Sequence, residues 1–136
     1  MNRHRRNRRA AFTLLEVLLV LVIIVLLAGL VAPALFNMQK RANIDAARAQ
    51  VHSLQEACDF FRLHMNDYPA SLTQLMDGRD LGPKWSGPYI DRIPVDPWGH
   101  EYAYEPQAGG LKPRIYSLGR DGQPNTADDV YEEETQ

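Results

Sequence analysis

The sequence predicts an α+β protein in which a long N-terminal helix, with a membrane-embedded first half, packs on a small antiparallel β-sheet. Three patterns carry that expectation. Residues Val17 to Phe36 contain no charged side chain. From Ile44 to Met65 the apolar positions recur at steps of three and four, the period of a helix with one buried face. Nearer the C-terminus, Glu101 to Glu105 and Arg114 to Leu118 alternate, as strands with one covered side do.

The uncharged run is long enough to cross a bilayer, because ~20 helical residues rising ~1.5 Å each match a hydrocarbon core of ~30 Å. Upstream stand Arg3, Arg5, Arg6, Arg8 and Arg9 with no acid among them. The positive-inside rule therefore places this end in the cytoplasm and the rest of the chain outside. Glu16 is the anomaly, since a carboxylate at membrane depth costs on the order of 2 to 3 kcal/mol. Three readings are open. The run is a cleaved signal peptide, for which Ala32-Pro33-Ala34 imitates the small-residue cleavage site; or a plain anchor with Glu16 reaching the interface; or an anchor in which Glu16 has a partner of its own. Pro33 lacks an amide proton and predicts a kink or a local opening of the helix.

At 136 residues the chain holds one domain of ordinary size. Removing the five leader arginines leaves 10 of the 15 basic side chains against 17 acidic ones, a formal charge of −7. So acidic a surface argues against nucleic acid as a partner. Cys58 is the only cysteine, which rules out an intrachain disulfide and a Cys-rich metal site.

Along the second half of the helix, Ile44, Ala47, Val51, Leu54, Cys58, Phe61 and Met65 form the apolar stripe. Arg41, Asp45, Arg48, Gln55, Glu56, Asp59 and Arg62 take the other faces, the amphipathic design of a helix laid on a sheet. A coiled-coil seam is the rival over barely three heptads. If continuous from Phe12 to Met65, the helix is ~80 Å long. Asn66-Asp67-Tyr68-Pro69 ends it, because a residue before proline avoids helical geometry. Ser71 to Gln74 has capping-box spacing and predicts a short helix over Leu72 to Met76. Residues 77 to 99 are rich in Gly and Pro and contain the turn cluster Pro94-Val95-Asp96-Pro97-Trp98-Gly99. Gly109-Gly110 separates the two alternating runs, which then form an antiparallel pair followed by an acidic tail.

Arg9-Ala10-Ala11-Phe12-Thr13-Leu14-Leu15-Glu16, followed by the uncharged run, resembles the class III signal of type IV pilins and type II secretion pseudopilins. The resemblance implies cleavage by prepilin peptidase between Ala11 and Phe12, methylation of the new Phe12 amine, and a contact between Glu16, fifth in the mature chain, and the N-terminal amine of a neighbouring subunit. Ala11 stands where the family nearly always has Gly. Further on, Asn66-Asp67-Tyr68-Pro69, Asp96-Pro97-Trp98-Gly99, and Ile115-Tyr116-Ser117-Leu118-Gly119 with Asp121-Gly122 and Asp128-Asp129 resemble the successive signatures of the major pseudopilins of type II secretion. His100 replaces the usual Asn.

That resemblance implies a type IV pilin-like fold in three segments. Residues 1–11 are a cleaved cytoplasmic leader, 12–36 the transmembrane and filament-core half of the first helix, and 37–136 a periplasmic globular domain. It implies a single-pass inner-membrane protein that polymerises with itself into a periplasmic pseudopilus and drives export of folded proteins. Its expected partners are prepilin peptidase, minor pseudopilins, and an inner-membrane assembly platform with its ATPase. Two alternatives remain: a type IV pilin of an adhesion, motility or DNA-uptake filament, which usually has a paired-Cys terminal loop, and a monomeric membrane-anchored calcium-binding module.

The stretch from Leu118 to Val130 carries the candidate ligand chemistry. Asp121, Asp128 and Asp129 supply carboxylates for a hard cation, which takes six to eight oxygens, backbone carbonyls among them. Gly119 and Gly122 free the backbone to aim carbonyls inward. The loop is no EF-hand, lacking that motif's alternating acids and closing Glu, and by spacing alone a solvated acidic turn is the favoured explanation over a metal site. The resemblance implies bound calcium, held by the three aspartates with the carbonyls of Leu118 and Arg120. His4, His52, His64 and His100 lack metal-ligand spacing, and no nucleophile motif occurs, so no enzyme and no catalytic residue is expected. Trp85, Trp98, Tyr89, Tyr102 and Tyr104 are expected to pack the loop, and Cys58 to be a buried thiol on the stripe.

Overall fold

The computed structural model describes residues 12–132; the leader, with Ala11 and its side of the cleavage point, lies outside the described residues. The chain divides into two units between Gln39 and Lys40. One helix, α1, runs from Leu14 to Met65, 52 residues.

In the first unit α1 continues unbroken through Pro33, so the expected local opening does not occur. Proline forfeits the bond to the carbonyl four residues back. That residue is Gly29, and its carbonyl goes without the proline's N–H while the bonds of the flanking turns keep the helix continuous. Every large apolar side chain from Phe12 to Phe36 is exposed, Leu14 by 86% and even Ile23 by 47%. By length and composition this is the one described helix able to cross a membrane.

In the second unit the stripe is covered by the chain's own later segments, not by a coiled-coil partner. Val51, Leu54, Ala57, Cys58 and Phe61 pack with Leu72, Leu75, Tyr102 and Ile115 in one core. Gln55 departs from expectation: it is only 8% exposed, because the covered face is wider than the strict stripe. The helix stops as expected, with Asn66 at φ 61° and its N–H donating to the Arg62 carbonyl at 2.8 Å. This is the left-handed turn that Asn tolerates after a helix.

Helix α2 spans Thr73–Met76, without a side-chain cap. The expected capping box is not made. Gln74 Oε1 instead accepts the Ala70 N–H at 2.8 Å, and Ser71 Oγ pairs with Thr73 Oγ1 at 2.6 Å. A 3₁₀ turn at Arg79–Leu81 follows. The long connection is then tied down: Trp85 Nε1 donates to the Gln74 carbonyl at 3.1 Å, and the Tyr89 N–H to the Leu75 carbonyl at 2.8 Å. The Trp85 indole lies so close to Gly78 and Gly87 that a Cβ on either would come within 2.3 or 2.6 Å of it.

The sheet has three strands rather than the expected pair. Strands β1 (Ala103–Glu105), β2 (Arg114–Ser117) and β3 (Val130–Tyr131) lie in that order, and both pairings are antiparallel. Tyr116 faces Tyr131 across β2 and β3, their rings stacked at 4.9 Å. A two-residue strand is too short to show alternation, which is why β3 reads as tail in the sequence. Its pairing holds both ends of the loop between Leu118 and Asp129 on the sheet.

Beyond β3, His52 Nδ1 lies 2.6 Å from Glu132 Oε1 and His52 Nε2 3.6 Å from Glu56 Oε1. Lys112 Nζ bridges Asp59 and Glu132 at 3.7 and 3.9 Å. These pairs clasp the end of β3 to α1. The hydrogen bond to Glu132, with support from the Glu56 and Glu132 charges, raises the pKa of His52 above 6.5. The clasp is therefore fully present below that value and is lost as pH rises through the folded-state pKa. In the full-length protein in detergent, the difference in unfolding midpoint between wild type and His52→Gln should shrink as pH goes from about 6 to about 8. A difference independent of pH would show that His52 contributes no charge to the clasp.

Candidate assembly and cation sites

Two places are candidates for functional chemistry. The first is the start of α1. Thr13 Oγ1 accepts the Glu16 N–H at 3.2 Å, and the Thr13 carbonyl accepts from Glu16 and Val17 at 3.1 and 3.3 Å. Thr13 is thus the N-cap and Glu16 the third helical residue, the Thr-x-x-Glu order of a capping box. A carboxylate there also meets the positive end of the helix dipole, worth roughly 0.3 to 1 kcal/mol. Glu16 and Phe12 are both exposed. The sequence reading passed over Thr13, although its spacing to Glu16 was visible.

The second place is the loop from Leu118 to Asp129, anchored on Asp96. Asp96 is buried. Its Oδ1 accepts the N–H groups of Trp98 and His100 at 3.0 and 2.8 Å, and its Oδ2 accepts Ser117 Oγ at 2.6 Å. Ser117 Oγ in turn accepts the Gly119 N–H at 3.0 Å. His100 Nδ1 closes the ring, 2.9 Å from the Gly119 carbonyl and 3.8 Å from Asp96 Oδ2. Both neighbours of Nδ1 are acceptors, so that nitrogen carries the proton. Gly119, at φ 64°, is required here, since a Cβ would come within 2.1 Å of the Asp128 carbonyl oxygen. Asp96, Ser117 and His100 were not singled out as site residues, because residues 21 apart give no local sign that they touch.

Within the loop, Asp129 Oδ2 accepts the N–H of Asn125 at 2.8 Å, that of Thr126 at 3.3 Å and the Tyr131 hydroxyl at 3.1 Å. Its Oδ1 is buried without a hydrogen-bond partner. An unpaired buried carboxylate oxygen is costly, and a cation would satisfy it, so this residue fits a calcium ligand. Asp121 Oδ1 accepts the Gln123 N–H at 3.0 Å. Asp121 and Asp128 are exposed, as is Arg120, while Leu118 is half-buried. The fold thus gathers the three aspartates into one loop without clustering their side chains. Among the described residues, no group of three or more His, Cys, Asp or Glu has metal-holding geometry. Elsewhere, burial pushes the Cys58 thiol up to about 12.

Comparison with known proteins identifies the family. Residues 34–133 match the family described as Type II secretion system (T2SS), protein G, and residues 6–32 match the prokaryotic N-terminal methylation motif. The chain is similar to the type II secretion system core protein G of Aeromonas hydrophila, 35% identical over 133 residues, covering 93% of each chain. That of Pectobacterium carotovorum subsp. carotovorum is 37% identical over 130 residues, covering 90% of this chain and 83% of the relative. Among solved structures, the major pseudopilin from the type 2 secretion system of enterohaemorrhagic Escherichia coli matches with a TM-score of 0.55 and 30% identity, over 71% of this chain and 90% of that one. The chain belongs to the type II secretion system protein G family.

Proposed function

We propose that this pseudopilus subunit is stored in the inner membrane through residues 12–36 and assembles by withdrawing that segment from lipid into a filament of its own copies. Its role is structural rather than catalytic. The observation that carries this reading is the wholly exposed apolar first half of α1, opening on Thr13 and Glu16. Such a surface needs cover, and repeated heterologous contacts that do not close provide it as a filament. Residues 1–11 are the leader that prepilin peptidase removes, and residues 37–136 form the periplasmic unit. Minor pseudopilins and the inner-membrane platform with its ATPase are the further partners.

Calcium belongs to the same reading. Asp129 would hold it through Oδ1, with Asp121, Asp128 and the carbonyls of Leu118 and Arg120 as the remaining protein ligands. When bound, the ion supplies positive charge that holds the acidic loop closed. Single, buried Cys58 disfavours the paired-Cys loop usual in adhesion and motility pilins.

The experiment is intact-mass analysis of membrane-extracted protein, which should find a chain beginning at N-methylated Phe12. A start at Met1, or near Ala34, would remove the processing step from the proposal. Ala11→Gly should be cut at least as fast as the wild type; slower cutting would mean that the scissile bond lies elsewhere.

A further inference from the structure

Phe60 and Leu63 stand on the face of α1 turned away from the core, 58% and 73% exposed. Three residues apart, they are neighbours on the helix surface and form one ridge. A water-facing helix side ordinarily carries long charged residues. Here the preceding turns of the same face hold Ala42, Ala46, Ala49 and Ser53, all exposed, with Asp45 and Glu56 the acidic residues among them, and Asp45 is paired with Arg48 at 3.7 Å. The charges beside the ridge are drawn aside. Arg62 Nη1 donates to the Tyr68 hydroxyl at 3.2 Å, its guanidinium lies 4.9 Å from the Tyr68 ring centroid, and that hydroxyl donates to Asp59 Oδ1 at 2.9 Å.

Resting on the filament reading above, we propose that the Phe60–Leu63 ridge is a contact between globular units, covered by a second copy of this chain. The argument is continuity. The ridge lies on the helix whose other half is the assembly surface, so every subunit brought in by that half carries an uncovered Phe and Leu on the same element. The contact is heterologous: the ridge of one copy meets a different surface of the next, as an open filament requires.

The test uses the full-length chain expressed with its assembly machinery, carrying a benzophenone amino acid at Leu63. Irradiation should give a covalent product of two copies, identified by mass spectrometry. Products with lipid or other proteins alone, or no product while filaments form, would overturn the proposal. Phe60→Ser with Leu63→Ser should insert and be processed as the wild type is, yet yield about tenfold fewer sheared filaments, the loss expected when apolar anchors are truncated. Wild-type yield from that variant would sink the ridge alone. Failure of the unmodified chain to form any filament would sink the functional reading, and this contact with it.

Discussion

Glu16→Ala should insert in the membrane and be cleaved normally, yet form almost no filament. The proposed partner of the carboxylate, the Phe12 amine of a neighbour, exists only after assembly. Breaking a buried pair by removing one member costs about 3 to 5 kcal/mol through the charge left behind, which is enough to suppress polymerisation. The capping geometry adds a competing explanation and the means to separate it. The Thr13 Oγ1 bond to the Glu16 backbone N–H survives either substitution, but Ala removes the polar side chain from the third position of α1, whereas Gln keeps a capping-box side chain and loses only the charge. Filament yield in Glu16→Gln therefore decides: loss equal to that of Glu16→Ala assigns the effect to charge. Wild-type yield from both variants would reduce Glu16 to a helix-start residue at the membrane surface.

The second large effect is calcium-dependent stability. A ligand that binds only the folded state stabilises it by about 2.7 kcal/mol at a hundredfold excess over Kd. Calcium should raise the unfolding midpoint of the full-length protein in detergent, and chelator should lower it. Magnesium should substitute poorly, since it demands tighter octahedral geometry and sheds its water reluctantly. Asp129→Ala and Asp128→Ala should each blunt the response, Asp129→Ala also removing the acceptor for Asn125, Thr126 and Tyr131. A midpoint indifferent to calcium, with Asp128→Ala behaving as the wild type, would leave the loop an acidic turn held by its own hydrogen bonds.

What could be read in advance followed the range of the signal. Seven apolar positions at helical spacing gave the second half of α1 and its covered face, and Asn66 to Pro69 its end, because both are written locally. Gln55 was misplaced because periodicity cannot say how wide a covering layer will be. The box at Ser71 failed for a similar reason: Gln74 had a choice of backbone donors, and the fold offered Ala70. Strand β3 and the ring of Asp96, Ser117, His100 and Gly119 depend on pairing between distant segments. The Asp and Gly residues marked the loop as special, but only the fold reveals that its anchor is Asp96 and that Asp129 keeps one oxygen unpaired.

Cys58 has a practical consequence for oxidation chemistry. With its thiol buried and its pKa pushed up to about 12, Cys58 stays protonated near neutral pH, and the thiolate is the species that attacks disulfides and alkylating reagents. Burial thereby protects crowded subunits from random crosslinking through this residue. A cysteine introduced at an exposed position would accordingly be the sole site to take a maleimide label, with the native residue left in place.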